Sequence, residues 1–91
     1  MKYYPIGTVV TLKDGDRPIM IYGRKQIQED TNYIWDYVAC LYPEGNLGDD
    51  YNIFFQHEEI EKVYHTGLES ELEDRMLEVL NSYQQPWVQY K

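Results

Sequence analysis

The pattern of hydrophobic and polar positions divides the chain into a strand-rich part, up to about residue 64, and one amphipathic helix after it. The first part consists of short apolar runs, many of them β-branched or aromatic, separated by turn residues such as Gly, Pro, Asn and Asp. These runs cover residues 8–13, 18–24, 33–42, 51–55 and 60–64. An Asp14-Gly15 pair joins the first two, which is typical of a β-hairpin. The pattern predicts an antiparallel sheet.

The run at 33–42 is the centre of the predicted sheet. With a period of two, both of its faces are apolar except at Asp36, so both need cover. Before it, Gly23 interrupts the second strand and predicts a bulge or bend. We therefore expect an α+β fold with one domain over residues 1–91: a small, bent antiparallel sheet of four or five strands, or an SH3-like barrel, with one C-terminal α-helix.

The helix is predicted over about residues 67–84. Thr66 and Glu69 have the spacing of a capping box, and Pro86 ends the helix, leaving an aromatic tail at 85–91. Apolar residues repeat every three or four positions and should turn towards the sheet. The apolar positions are Leu68, Leu72, Met76, Val79, Leu80 and Tyr83, with Leu77 on the margin. Of these, Leu68, Leu72, Met76 and Leu80 are expected to face the sheet. The acids expected on the exposed face are Glu71, Glu73, Asp74 and Glu78.

Net charge, cysteine content and the lack of a long apolar run limit the kinds of partner and the cellular compartment that we expect. The net charge is −8, which would repel a phosphate backbone, so we expect no nucleic acid partner. A single cysteine, Cys40, excludes an internal disulfide and fits a reducing compartment. The chain contains no apolar run near the ~20 residues that span a bilayer, so we expect a cytoplasmic protein without a membrane partner.

Candidate catalytic chemistry is sparse. The run from His57 to Glu61 begins like a zinc-protease motif but has Glu61 where the second histidine must stand. Asp36 is the one charge within the central strand, and Cys40 lies mid-strand among apolar neighbours. Neither has a base or a second acid in matching context. We expect no catalytic, cofactor or metal site, and keep a small enzyme using Asp36 or Cys40 only as an alternative.

Candidate partner-binding residues lie in the C-terminal third. Trp and Tyr dominate many protein interfaces, so Trp87 and Tyr90 of the tail are candidates. The tail either folds back on its own sheet or stays free until a partner, or a second copy of the chain, accepts it. The helix contributes three acids that can either keep the protein soluble or dock a basic partner. These acids are Glu71, Asp74 and Glu78.

Four segments, in this order, carry a resemblance to a known family: 5–10 (PIGTVV), 20–24 (MIYGR), 36–45 (DYVACLYPEG) and 55–60 (FQHEEI). The chain resembles the small domain-of-unknown-function proteins that Gram-positive bacteria encode beside LXG polymorphic toxins in type VII secretion loci. The likeness covers about residues 5–72. The tail after Tyr83 has no counterpart in it.

The resemblance implies a non-enzymatic cytosolic accessory protein, a chaperone or targeting factor that binds a cognate LXG toxin or its N-terminal region. No catalytic residues come with the family. The first alternative is an immunity protein, which would use its acidic surface to block the basic active site of the toxin. The second alternative is the small enzyme described above.

Overall fold

A computed structural model gives the fold and describes residues 1–82 and the backbone of 89–90. Strands β1 (Val9–Leu12), β2 (Ile19–Gln28), β3 (Tyr33–Leu41), β4 (Ile53–Phe55) and β5 (Ile60–His65) precede helix α1 (Glu71–Ser82), and a two-residue strand β6 (Gln89–Tyr90) follows it. Two 3₁₀ turns, Asp49–Tyr51 and His57–Glu59, flank β4. The predicted α+β class is confirmed.

Five of the strands form one open antiparallel sheet in the order β4-β3-β2-β1-β5. Strand β6 adds a short parallel pairing, with Gln89 beside Tyr33 and Tyr90 beside Ile34. In the part of the chain that the structure describes, the ladder ends at β4 on one side and β5 on the other. The sheet is therefore open, and the alternative of a closed SH3-like barrel is wrong.

Gly23 interrupts the β2–β3 ladder, as the sequence predicts. The register shifts between the pairs Ile21–Ala39 and Gly23–Val38. A Cβ atom at Gly23 would lie 2.7 Å from a methyl carbon of Val38, so only glycine permits this approach. The irregularity sits beside Arg24, whose side chain reaches the helix.

Strand β3 lies inside the sheet, paired with β2 on one side and β4 on the other. Side chains from both of its faces are buried, as its pattern predicts. Tyr37 and Ala39 belong to the main core, while Val38 and Cys40 are buried on the opposite face. The main core is small and built largely from the sheet; its buried members are Tyr3, Val10, Ile19, Ile21, Tyr37, Ala39, Phe55 and Leu80.

Helix α1 begins four residues later than predicted. Ser70, not Thr66, precedes the first turn: its hydroxyl accepts a hydrogen bond from the Glu73 amide (3.2 Å), as a helix cap does. The segment before it is not helical, and Gly67 in this segment lies against the backbone of Ile6. A Cβ atom at Gly67 would lie 1.9 Å from the Ile6 carbonyl oxygen. In the described part of the chain, no helix is long and apolar enough to cross a membrane.

Candidate protein-binding face of the C-terminal helix

The start of α1 is held against the first strand by hydrogen bonds around Thr8. The buried Thr8 hydroxyl accepts the Gly67 amide proton (3.1 Å) and donates to the Pro5 carbonyl (2.7 Å). Gly67 lets the two backbones meet, so the chain entering the helix is fixed relative to the sheet. The position of the helix therefore depends on contacts that begin before its first turn.

A buried ion pair sets which face of α1 meets the sheet. Arg24 of β2 donates through both terminal nitrogens to the carboxylate of Glu73, one of them at 2.9 Å. The two side chains are only 5% and 11% exposed. Arg24 also donates to the Tyr4 carbonyl (3.3 Å). Since an unpaired guanidinium is costly to bury, Glu73 must face inward.

Leu77 and Leu80 follow Glu73 at the spacing i, i+4, i+7, so they face the sheet with it. Leu80 is buried in the core, and Leu77 packs against the core at its edge. At the end of the helix, Lys25 donates to the Leu80 carbonyl (2.6 Å), which provides one of the last-turn carbonyls with a partner. The neighbouring residues Arg24 and Lys25 of β2 thus hold both ends of the helix.

This orientation corrects the predicted helix face. Glu73 was expected to be exposed, but its side chain is only 11% exposed in the pair with Arg24, whereas Leu80 is buried as expected. The remaining apolar residues that were expected to face the sheet point to solvent, together with Val79. Their exposed fractions are 80% for Leu68, 75% for Leu72, 43% for Met76 and 55% for Val79. We call these four residues the outer stripe.

Acidic side chains border the outer stripe. Glu71, Asp74 and Glu78 are all exposed, as predicted. Asp74 is not part of this border, because it lies about 140–160° around the helix axis from the stripe residues of α1. On a helix of 3.6 residues per turn, Glu71 and Glu78 lie about two turns apart along the side of the stripe that faces away from the sheet, with Arg75 between them. The face therefore combines an exposed apolar row with a net negative border, in a chain whose net charge is −8.

The sequence pattern predicted the wrong face of α1 to pack on the sheet because the helix carries two largely apolar rows that are offset by one residue. The outer row contains Leu72, Met76 and Val79, and the inner row contains Glu73, Leu77 and Leu80. Both have the spacing i, i+4, i+7, and the outer one is the more apolar. The signal that could have distinguished them is Arg24, a cation within a strand that needs an acid opposite it.

The tail candidates lie outside the described side chains. Trp87 is not among the described residues, and for Tyr90 only the backbone is described, where β6 runs beside the start of β3. Whether the tail binds a partner stays a prediction.

Asp36 and Cys40, the two residues of the enzyme alternative, both make contacts that hold parts of the sheet together. The Asp36 carboxylate accepts the His57 amide proton (2.8 Å) at the start of the second 3₁₀ turn, and the Asp36 amide donates to the Gln56 side-chain oxygen (3.0 Å). These contacts join β3 to the turn after β4. Cys40 is buried, with its sulfur 3.8 Å from the Met20 carbonyl oxygen. The Cys40 side chain is therefore packed in the way that a small hydrophobic residue is.

A second polar cluster surrounds the Tyr37 hydroxyl. It accepts the Tyr4 amide proton (2.9 Å) and lies 2.7 Å from Nδ1 of His57. The Tyr4 and His57 rings are stacked with centroids 5.2 Å apart. Burial, the dominant cause, raises the pKa of the Tyr37 hydroxyl well above its usual value. This cluster holds the N-terminal segment against the sheet.

An open cleft of about 540 Å³ lies at the β1–β2 hairpin. Its floor is formed by Leu12, Ile19 and Ile53, and charged residues of both signs surround it. The charged residues are Lys13, Asp14, Arg17, Glu58 and Glu59. Within the described residues, no group of three or more His, Cys, Asp or Glu side chains is arranged to hold a metal ion. The mixed charges of the cleft do not select one kind of ligand.

Comparison with known proteins gives one result that bears on identity. Neither the curated proteins nor the solved structures contain a match to the chain. A protein family described as a domain of unknown function (DUF4176) matches residues 3–76. That range includes the whole five-stranded sheet and the first half of α1, with Glu73 and much of the outer stripe. The chain therefore belongs to the DUF4176 family.

Proposed function

We propose that the protein is a non-enzymatic accessory factor that binds a cognate LXG toxin in the cytoplasm, as a chaperone or targeting factor for type VII secretion. The resemblance of segments 5–10, 20–24, 36–45 and 55–60 to proteins encoded beside such toxins motivates the choice of partner. The observation that carries a binding role is the outer stripe, four large apolar side chains that the fold leaves in solvent.

A binding role follows from the energetics of this face. Burying a Leu or Met side chain that was exposed contributes roughly 1.5–3 kcal/mol, so a partner covering the stripe would gain several kcal/mol from these residues. Single exposed apolar residues are common on protein surfaces, whereas several on one face of one helix are typical of a binding surface. An accessory protein that keeps another chain soluble uses such a row to cover apolar surface on that chain.

Co-purification with the two parts of the toxin tests the proposal. The full chain is expressed with the N-terminal LXG region of the toxin encoded beside it and, separately, with the C-terminal toxic domain. The chaperone or targeting role requires a stable complex with the N-terminal region. A complex with neither part contradicts the proposed function.

An immunity protein is the second candidate, and the exposed acids Glu71, Asp74 and Glu78 favour it. Acidic side chains can block a basic active site through complementary charge. This candidate requires binding to the C-terminal toxic domain and protection of cells that express that domain. Binding to the N-terminal region alone excludes it.

A further inference from the structure

We infer that the outer stripe of α1 is the docking surface for an amphipathic α-helix of the partner whose apolar face is bordered by basic residues. The inference rests on the proposed function in one respect, that the chain binds a protein. It adds the part of this chain that binds, the secondary structure of the segment bound, and the sign of its charge.

The geometry of the stripe favours a helix as the occupant. Leu72, Met76 and Val79 repeat at i, i+4 and i+7, so they form one straight row of about 10 Å along the helix axis. Leu68 lies before the first turn of the helix and is also exposed. A row of this kind fits the groove between the side-chain ridges of a second helix packed at a small crossing angle.

The orientation of the stripe is fixed before any partner arrives. The bidentate contact between Arg24 and Glu73 and the bond from Lys25 to the Leu80 carbonyl hold α1 on the sheet with the stripe outward. A partner therefore meets a preformed surface and does not have to order it, which favours binding.

The charge beside the stripe distinguishes between three possible occupants: a second copy of the chain, a membrane surface and a partner helix. The exposed acids Glu71 and Glu78 outnumber Arg75 along the border of the stripe. A second copy of the chain would bring the same acids against each other, and an anionic membrane surface would repel them. A helix with lysine or arginine beside its apolar face complements the border instead.

The experiment measures affinity and association rate of the full chain for two probes. One probe is the purified N-terminal LXG region, and the other is a synthetic amphipathic helical peptide with leucines at i, i+4 and i+7 and lysines beside them. A peptide with glutamates in place of the lysines controls for charge. The basic peptide should bind at least tenfold more tightly than the acidic one.

The double variant Leu72→Glu with Met76→Glu tests the stripe, and Leu47→Glu is its control because Leu47 is also large, apolar and exposed. The stripe variant should lose at least about a hundredfold in affinity for both probes, with an unchanged urea midpoint of unfolding. The control Leu47→Glu should keep both its affinity for the two probes and its urea midpoint. Unchanged affinity of the stripe variant for the LXG region overturns the inference while the proposed function stands.

Charge reversal at Glu71→Lys with Glu78→Lys tests the border, and Asp16→Lys with Glu29→Lys makes the same change in net charge at exposed sites elsewhere. The border variant should associate about tenfold more slowly at low salt, and the difference should shrink in high salt because screening weakens surface charges. Equal slowing by both double variants overturns the basic-border part of the inference.

The remaining outcomes separate the two proposals. If the LXG region does not bind but the basic peptide binds and depends on the stripe, the inference stands and the proposed function fails. If neither probe binds, both fail. If sedimentation shows a dimer that the stripe variant converts to a monomer, a second copy is the occupant and the inference is overturned. A lower urea midpoint for the stripe variant means that the chain itself covers the stripe, which also overturns it.

Discussion

Replacing Glu73 by leucine should destabilise the protein more than any other change of a single charged residue on α1. Among the described residues, the substitution leaves the buried Arg24 guanidinium with the Tyr4 carbonyl, 3.3 Å away, as its one acceptor. Removing one partner of a buried ion pair costs roughly 3–5 kcal/mol, and we expect about 3 kcal/mol because the Glu73 side chain is still 11% exposed. For a domain of this size that corresponds to a fall in Tm of roughly 12–24 °C.

The exposed pair Arg17–Glu44 is the matched control, because its side chains are 47% and 39% exposed. Exposed pairs contribute about 0–1 kcal/mol, so Glu44→Leu should change the free energy of unfolding by less than 1 kcal/mol. The double variant Arg24→Met with Glu73→Leu should recover most of the loss, since it removes both buried charges together. The coupling between the two positions should then be on the order of 2 kcal/mol.

Urea unfolding of these three variants and of Arg24→Met alone, which completes the double-mutant cycle, measures these differences, and hydrogen exchange locates them. Peptides from 71–82 should lose protection in Glu73→Leu before peptides from 33–41, because the pair joins the helix to the sheet and does not lie within the sheet. The reasoning is refuted if Glu73→Leu and Glu44→Leu cost the same, or if the coupling of Arg24 and Glu73 is below about 0.5 kcal/mol.

Three further changes test other contacts. Gly67→Ala should cost about 1–3 kcal/mol in urea unfolding because its Cβ meets the Ile6 carbonyl oxygen, whereas Gly15→Ala, with nothing within 4 Å, should be neutral; equal effects contradict the close-approach argument. Because Tyr37 has a raised pKa, the folded protein keeps a proton that the unfolded chain releases near pH 10. The free energy of unfolding should therefore fall above about pH 10 by up to ~1.4 kcal/mol per pH unit, and Tyr37→Phe should reduce that slope; an unchanged slope refutes the assignment. Cys40→Ala should leave partner binding intact and cost on the order of 1 kcal/mol, while rapid thiol labelling of the native protein with loss of binding would contradict a packing role.

The sheet could be predicted from the sequence because its information is local. Runs of β-branched and aromatic residues bounded by Gly, Pro, Asn and Asp placed the strands within a few residues, and Gly23 marked the bulge. The strand β2 extends to Gln28, beyond the predicted apolar run, because pairing with β3 continues through polar residues such as Gln26. Pairing partners, not the residues themselves, decide that extension.

The start of the helix could not be predicted from capping chemistry alone. Two segments have the same spacing of a hydroxyl residue and an acid, Thr66 with Glu69 and Ser70 with Glu73. The structure uses the second because Gly67 is needed where the chain passes over Ile6. That contact is between residues about sixty positions apart, and no local pattern contains it.

The same acid links the fold to the proposed binding role. If Glu73 did not pair with Arg24, hydrophobic burial would favour the other face of α1, since the outer stripe is more apolar than the inner row. The ion pair therefore does more than attach the helix: it selects the orientation that leaves Leu72 and Met76 in solvent. In Arg24→Met with Glu73→Leu the inner row also becomes apolar, so this variant should keep the stripe outward and retain partner binding. Loss of binding in a variant that folds normally would show that the charged pair itself, and not the orientation it selects, is what the partner requires.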